Sequence, residues 1–240
     1  MNTGVLAHGL HIKAKGWDDI LWGNPDQQRL GRLPRAVLAI LDADPRTIGL
    51  VTIGTGASRS ENGTFEAELV KHLALQRFGQ LDNFTAIRDH PEWPKNGSHI
   101  QSLLEASITD TASKNTHQEI GNAATLFSKR KINRVFEVTD PSHGPRCQRD
   151  QGVARASGLI PPSQRWHLVT SNVPYPGTTV EDTVVFEVPH RGDDPAIAWP
   201  KDKQASRVFS QYFSMSNEDK IGFLNDVDDL AKQWLHRAIK

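Results

Sequence analysis

The chain has 240 residues, and its 28 Lys and Arg residues are balanced by 28 Asp and Glu residues, so the formal net charge is zero. This balance argues against the positive field that draws proteins onto nucleic acids or anionic membranes, and we expect neither as a partner. The sequence contains no run of about 18 consecutive apolar residues, so we expect no membrane-spanning helix. The single cysteine, Cys147, cannot form an internal disulfide, which is typical of a reducing compartment, and we expect a cytoplasmic protein.

Apolar segments alternate with amphipathic helical patterns along most of the chain, which is typical of βα units. We therefore predict one α/β domain over residues 1–240, a three-layer Rossmann-like fold whose mostly parallel sheet is flanked by helices. The predicted elements of the first half are, in chain order, a strand over Val5–Ile12, a helix over Pro34–Ala43, a strand over Ile48–Ile53, a loop over Gly54–Gly63 and a helix from Phe65 to Gln76 closed by Gly79.

The second half contains clear elements and one ambiguous stretch. The prolines and glycine of His90–Gly97 predict a loop, and Ile100–Ala106 fits either a strand or a helix. Thr116 and Glu119 have the spacing of a capping box, which predicts a helix start. The later predicted elements are a strand over Arg134–Thr139, a helix beginning near Pro145, strands over His167–Val173 and Thr183–Val188, and a C-terminal helix with the apolar stripe Ile221, Leu224, Val227, Ala231, Trp234 and Leu235.

Ligands of open parallel sheets bind where the strands end, so the loops after Ile53, Thr139 and Val188 are the candidate sites. In the first loop, Gly54, Thr55, Gly56 and Ser58 precede a helix, an arrangement suited to a phosphate or carboxylate, although a simple tight turn is the alternative. Arg59 stands where a third glycine would complete a dinucleotide-binding motif, so that motif is absent.

The second loop concentrates chemistry, because Asp140, Ser142, His143, Arg146 and Arg149 fall within ten residues. Arg146 and Arg149 share a helix face and could clamp an anion, while ordinary surface ion pairs are the alternative. We interpret the neighbouring Cys147 as a small buried residue rather than a nucleophile.

The third loop adds His190 and Arg191, and a charged loop without a function explains them equally well. We expect no metal site, because His8 and His11 do not share a strand face and no cysteine cluster or HExxH motif occurs.

Three segments in order resemble the YdcF/SanA/ElyC-like bacterial family, a domain of unknown function with a Rossmann-like fold. They are Val51–Ser58 leading to Glu66, Ser113–Thr116 with Glu119, and Val138–His143 with Arg146. The resemblance covers residues 35–190, and the absence of the membrane anchor of the SanA and ElyC branches places the soluble YdcF branch nearer. It implies that the matching positions surround one ligand; these positions are Gly54, Gly56, Ser58, Glu66, Asn115, Thr116, Glu119, His143 and Arg146.

The resemblance also implies S-adenosylmethionine, or another nucleotide-like molecule, as the ligand. Our leading hypothesis is a small-molecule enzyme or ligand-binding protein in which His143 transfers a proton and Asp140 or Glu119 orients it. The residues predicted to bind the anionic ligand are Gly54, Thr55, Gly56, Ser58, Glu66, Asn115, Thr116, Ser142, Arg146, Arg149, His190 and Arg191. The alternatives are a non-catalytic sensor or scaffold for such a ligand and a hydrolase or transferase of a specialised biosynthetic pathway. The oligomeric state stays open.

Overall fold

The computed structural model describes residues 2–177, together with Ser216, Asp219, Gly222 and Phe223. The chain divides into two compact units, Met1–Val185 and Phe186–Lys240, and the first holds almost all of the described residues. The predicted strand Thr183–Val188 and the residues of the C-terminal apolar stripe lie outside the described residues. One domain over residues 1–240 stays a prediction.

Helices and strands alternate through the first unit. The helices are α1 (Trp17–Leu21), α2 (Arg32–Asp42), α3 (Glu66–Gln76), α4 (Thr85–Arg88), α5 (Trp93–Glu105), α6 (Thr116–Lys129) and α7 (Gly144–Ala156). The strands are β1 (Thr3–Ala7), β2 (Gly23–Asn24), β3 (Arg29–Leu30), β4 (Ile48–Thr55), β5 (Ile108–Asp110), β6 (Arg134–Thr139) and β7 (Arg165–Thr170). Short 3-10 helices cover Pro45–Thr47 and Phe78–Asn83.

Five parallel strands form the central sheet in the order β5-β4-β1-β6-β7, and β2 and β3 form a separate two-stranded antiparallel ribbon. Counted along the chain, the five strands lie in the order 3-2-1-4-5 of the Rossmann fold. The predicted α/β fold is therefore confirmed. From β1 the chain first adds β4 and β5 on one side and then adds β6 and β7 on the other side. The junction between β1 and β6 is therefore the topological switch point.

Alternate residues of β1 pack on opposite faces of the sheet, as the period of two in a strand requires. Val5 and Ala7 pack in the cluster that contains the apolar residues of α2, whereas Leu6 packs with Ala123 and Phe127 of α6. All three β1 side chains have no exposed surface. The sheet is thus buried between two helical layers, which explains why apolar residues predominate in the middle of its central strands.

Several boundaries differ from the predictions at the start of the chain. β1 ends at Ala7 instead of Ile12, because Gly9 donates its backbone N–H to the Thr55 hydroxyl at 2.8 Å and the chain leaves the sheet. A Cβ atom at Gly9 would lie 1.9 Å from the Thr55 carbonyl oxygen, so this close approach requires glycine. Gly79 does not close α3, which ends at Gln76 and is followed by the 3-10 helix.

The middle of the chain is more helical than predicted. The expected loop His90–Gly97 overlaps α5, which begins at Trp93 and continues through the ambiguous stretch to Glu105. Pro94 lies in the first turn of α5, where its missing N–H does no harm, and Ile100 and Leu104 bury one face. The Asn115 side chain, not Thr116, caps α6 by accepting the Gln118 backbone N–H at 2.9 Å.

The later elements follow the predictions more closely. β6 has the predicted limits and α7 begins at Gly144, beside Pro145. β7 begins two residues before His167 and ends three before Val173. Within the described part of the chain, no helix is long and apolar enough to cross a membrane.

Candidate functional site

The loops that follow β1, β4, β5 and β6 meet at one end of the sheet, which we call the carboxyl edge. Backbone hydrogen bonds join them: Gly56 donates to Asp110 at 2.9 Å, Ala57 donates to Ser113 at 2.9 Å, and His8 donates to Val138 at 3.0 Å. The switch point between β1 and β6 lies at this edge, where doubly wound folds bind their ligands.

Three long helices also begin at the carboxyl edge. Glu66 starts α3, Thr116 starts α6 and Gly144 starts α7, each after a strand or loop that ends there. The N-terminus of a helix carries a partial positive charge and unpaired N–H groups. The carboxyl edge therefore combines backbone dipoles that favour anions with the ionisable side chains described next.

A buried ion pair ties the loops after β1 and β6 to α2. The Arg32 guanidinium binds the Asp140 carboxylate through Nε at 3.0 Å and through a second nitrogen, and it also donates to the carbonyl oxygens of His8 and Gly9. Both side chains have no exposed surface. The other Asp140 oxygen accepts the backbone N–H groups of Ser142 and His143. Asp140 therefore shapes the loop rather than reaching the ring of His143.

His8, directly after β1, lies between two glutamates. Its Nδ1 is 2.5 Å from Oε2 of Glu119, and its Nε2 is 2.6 Å from Oε1 of Glu137. Gln151 donates to the second oxygen of Glu137. Burial alone would lower the pKa of His8, but its interactions with Cys147, Glu119 and Glu137 outweigh burial and raise the pKa well above its ordinary value. Both ring nitrogens of His8 are thus held by carboxylates.

Cys147 of α7 is a buried thiol in the same region as His8 and Glu137. Its thiol has no exposed surface and lies 3.7 Å from Nδ1 of His143. Burial raises its pKa to about 11, so the side chain is a neutral thiol at pH 7. This state agrees with the interpretation of Cys147 as a small buried residue.

Glu66 is a buried carboxyl group with a strongly raised pKa. The side chain is only 5% exposed. Burial, followed by the charge of Glu119, raises its pKa from 4.5 to about 7, although a hydrogen bond with Ser58 and the charge of Arg32 act in the opposite direction. Gly56 makes room for it, because a Cβ atom there would lie 2.7 Å from Oε1 of Glu66.

The half-buried ring of His143 lies between two threonines. Its Nε2 is 3.0 Å from the Thr116 hydroxyl, and its Nδ1 is 2.9 Å from the Thr139 hydroxyl. The predicted orientation of His143 by Asp140 or Glu119 differs from this arrangement, since threonine hydroxyls and not those carboxylates meet the ring nitrogens. Glu119 instead contacts His8.

Two of the three arginines of α7, Arg146 and Arg149, approach the same carboxylate, that of Asp150. Nε of Arg149 is 2.9 Å from Asp150, and Nε of Arg146 is 3.9 Å from it. Burial raises the pKa of Asp150. Arg149 is 37% exposed, whereas Arg146 is 10% exposed. Arg146 is thus the more buried of the two, and both arginines face a carboxylate that is itself buried.

Comparison with protein families, with curated proteins and with solved structures gives no match. Every functional argument for this chain therefore depends on its own residues.

The structure brings together many of the predicted site residues and separates others. Those at the carboxyl edge are Gly56, Ser58, Glu66, Asn115, Thr116, Glu119, Asp140, Ser142 and His143. Gly54 lies within β4 and packs against α3, where a Cβ atom would be 2.3 Å from the Ala67 carbonyl oxygen. The Thr55 hydroxyl accepts a hydrogen bond from the backbone N–H of Gly9. His190 and Arg191 lie outside the described residues.

The sequence patterns do not identify four polar residues of the site, which are the buried His8, Arg32 and Glu137 and the partly buried Gln151. Glu137 gave a usable signal, because it interrupts an otherwise apolar strand. His8 was considered only together with His11, which is exposed. An ionisable residue inside or directly after a predicted central strand would have identified both.

Proposed function

We propose that this chain is a small-molecule enzyme that transfers protons at the carboxyl edge, with Glu66 as the acid–base group. The observation that carries the proposal is the environment of Glu66, a buried carboxyl that lies against Gly56 at the start of α3 and whose pKa is raised by burial and by the charge of Glu119. A carboxyl whose pKa is about 7 exists in both protonation states at neutral pH, as general acid–base catalysis requires.

The ligand that fits this edge carries an anionic group. The N-termini of α6 and α7 favour negative charge, and Thr116, His143 and Arg146 lie in or beside their first turns. S-adenosylmethionine and other nucleotide-like molecules are candidates through the resemblance to the YdcF branch. The single cysteine supports a cytoplasmic site of action.

A thermal-shift screen tests ligand binding. The compounds are S-adenosylmethionine, nucleotides, dinucleotides and sugar phosphates, applied to the wild type, to Arg146→Ala and to Lys129→Ala. Lys129 is an exposed cation at the far end of α6 and serves as the matched control. A compound at about 100 times its Kd stabilises the wild type by roughly 2.7 kcal/mol. We expect the thermal shift to persist in Lys129→Ala and to disappear in Arg146→Ala. If both variants keep the shift, Arg146 does not belong to the ligand site.

Turnover is tested without knowing the substrate. The wild type and Glu66→Gln are each incubated with a small-molecule cell extract, and the extract is compared by mass spectrometry. We expect at least one compound to be consumed by the wild type and left unchanged by Glu66→Gln, because the amide cannot transfer the proton. Equal consumption by both proteins would show that Glu66 is not the acid–base group. Unchanged extract with the wild type, together with a thermal-shift ligand, would favour the sensor alternative.

A further inference from the structure

The face of the sheet under α6 and α7 holds a second group of chemically active residues. His8, Glu137 and Cys147 come from the end of β1, from β6 and from α7, and each is completely buried. One ligand atom from each of them, a ring nitrogen, a carboxylate oxygen and the sulfur, lies within 4.8 Å of the others. Three different donor types meeting inside the protein are unusual, because an ionisable side chain without compensation is costly to bury.

The groups around these residues have the arrangement found around metal ligands. A histidine that binds a metal through one nitrogen usually donates its other N–H to a carboxylate. His8 does so, because its Nδ1 is bonded to Glu119 at 2.5 Å while its Nε2 faces Glu137. Glu137 uses one oxygen toward His8 and its other oxygen accepts from Gln151. Both outer contacts fix the side chains and leave Nε2 and Oε1 directed at each other.

From this arrangement we infer that His8, Glu137 and Cys147 bind one divalent transition-metal ion of the zinc type. Nitrogen, sulfur and carboxylate donors suit Zn²⁺ and Co²⁺, whereas Mg²⁺ and Ca²⁺ require oxygen ligands. Three protein ligands leave one position of a tetrahedral ion open, and His143 neighbours the ligand set, because its Nδ1 lies 3.7 Å from the Cys147 sulfur. Coordination requires the Cys147 thiolate and an Nε2 of His8 without its proton, so the thiol proton and the proton that Nε2 shares with Glu137 both pass to the solvent when the ion binds.

Metal binding requires the side chains of His8 and Glu137 to move apart. Nε2 of His8 and Oε1 of Glu137 are 2.6 Å apart. Bonds of about 2.0 Å to a tetrahedral ion would place these two atoms about 3.3 Å apart. The side chains must therefore separate by roughly 0.7 Å, a small rotamer adjustment. This inference is independent of the proposed role of Glu66, and its test needs no substrate.

The test uses Co²⁺ as a spectroscopic probe of the full-length chain. Protein is loaded with Co²⁺, freed of excess ion by gel filtration and examined by absorption spectroscopy and by metal analysis. Thiolate bound to Co²⁺ gives a near-ultraviolet charge-transfer band, and Cys147 is the one cysteine of the chain. We expect one bound ion per chain with this band, and competition by Zn²⁺ that removes it.

Variants define the ligands. Cys147→Ser should lose the band completely, and Gln151→Ala, which removes only an outer contact, should weaken Co²⁺ binding by about 10- to 100-fold. His72→Gln, a change at an exposed histidine of α3, should retain both the band and the affinity. A wild-type chain that binds no Co²⁺, or binds it without the band, overturns the inference, and this result does not depend on whether any variant folds.

Discussion

At the scale of the residue, the site depends on two neighbouring carboxyl groups that the fold treats differently. Glu119 is held against His8 by a hydrogen bond of 2.5 Å, whereas Glu66 is buried and takes a pKa of about 7. A pair of carboxyl groups in unlike environments is the usual way to obtain an acid and a base in one site. Gly56 belongs to this arrangement, since any larger residue would displace the carboxyl of Glu66.

The raised pKa of Glu66 predicts a pH-dependent gain in stability for Glu66→Gln. In the folded chain Glu66 keeps its proton up to about pH 7, whereas in the unfolded chain it loses the proton near its ordinary pKa of 4.5. Between these values the folded state binds more protons, so its stability falls as the pH rises through this window. Above pH 7 the wild type is therefore destabilised by up to about 3 kcal/mol through this group.

Chemical denaturation at pH 4 and pH 8.5 measures this effect. We expect Glu66→Gln to exceed the wild type in stability at pH 8.5 and to lose most of that advantage at pH 4. Glu61→Gln, at an exposed position of the same loop, should show no such difference between the two pH values. If the Glu66→Gln advantage is the same at both, the burial of Glu66 does not control its proton.

At the scale of the element, Arg32 adds polar contacts between the start of α2 and the switch point to the apolar packing of α2 on β1. Arg32 reaches from the first residue of α2 to Asp140 after β6 and to the carbonyl oxygens after β1. A buried charge that loses its partner is destabilising, whereas removal of both partners costs less. The pair therefore holds two loops in register across the place where the sheet changes direction.

This connection predicts a large loss of stability for Arg32→Met, which leaves Asp140 buried without its partner. The expected cost is about 3 to 5 kcal/mol, and adding Asp140→Asn should recover part of it. Arg46→Met is the matched control, because Arg46 forms an exposed pair with Asp44 and should change stability little. Urea denaturation of the four proteins measures these differences. An Arg32→Met variant as stable as the control would contradict a structural role for the pair.

The elements also show what the sequence could predict. β4, β6 and the start of α7 were predicted well, because a continuous apolar run or a proline marks each of them. α5 was partly missed, since Pro94 and Gly97 are loop residues in most contexts and only the burial of Ile100 and Leu104 on one face favours the helix.

The candidate site was predictable only where its residues lie close together along the chain. The glycine loop, the α6 start and the His143 loop were identified because each is a short motif. The contacts of His8 with Glu119 and Glu137 span 111 and 129 residues. The contact with Glu137 exists because β1 pairs with β6, with Leu6 opposite Glu137, whereas Glu119 reaches His8 from α6. A strand order cannot be obtained from local patterns, so this part of the site needed the structure.

At the scale of the whole molecule, β1 is the structural centre of the described unit. It pairs with β4 on one side and with β6 on the other, over its entire length. Its side chains are buried by helices on both faces. His8 follows it directly, so the most constrained strand of the sheet positions the His8 contacts. A rigid support of this kind keeps ionisable groups in fixed geometry.

This architecture predicts a gradient of amide hydrogen exchange across the sheet. Amides in the centre of a cooperative core exchange only through global unfolding, whereas less buried segments open locally. β7 leaves Arg165, His167 and Thr170 exposed, in contrast to the five buried residues of β1. Mass spectrometry of exchanged peptides should show β1 exchanging slower than β7 by on the order of tenfold or more. β6, which pairs with both strands, should resemble β1. Similar exchange in β1 and β7 would mean that the sheet unfolds as one unit, and the carboxyl edge would then have no especially rigid support under His8.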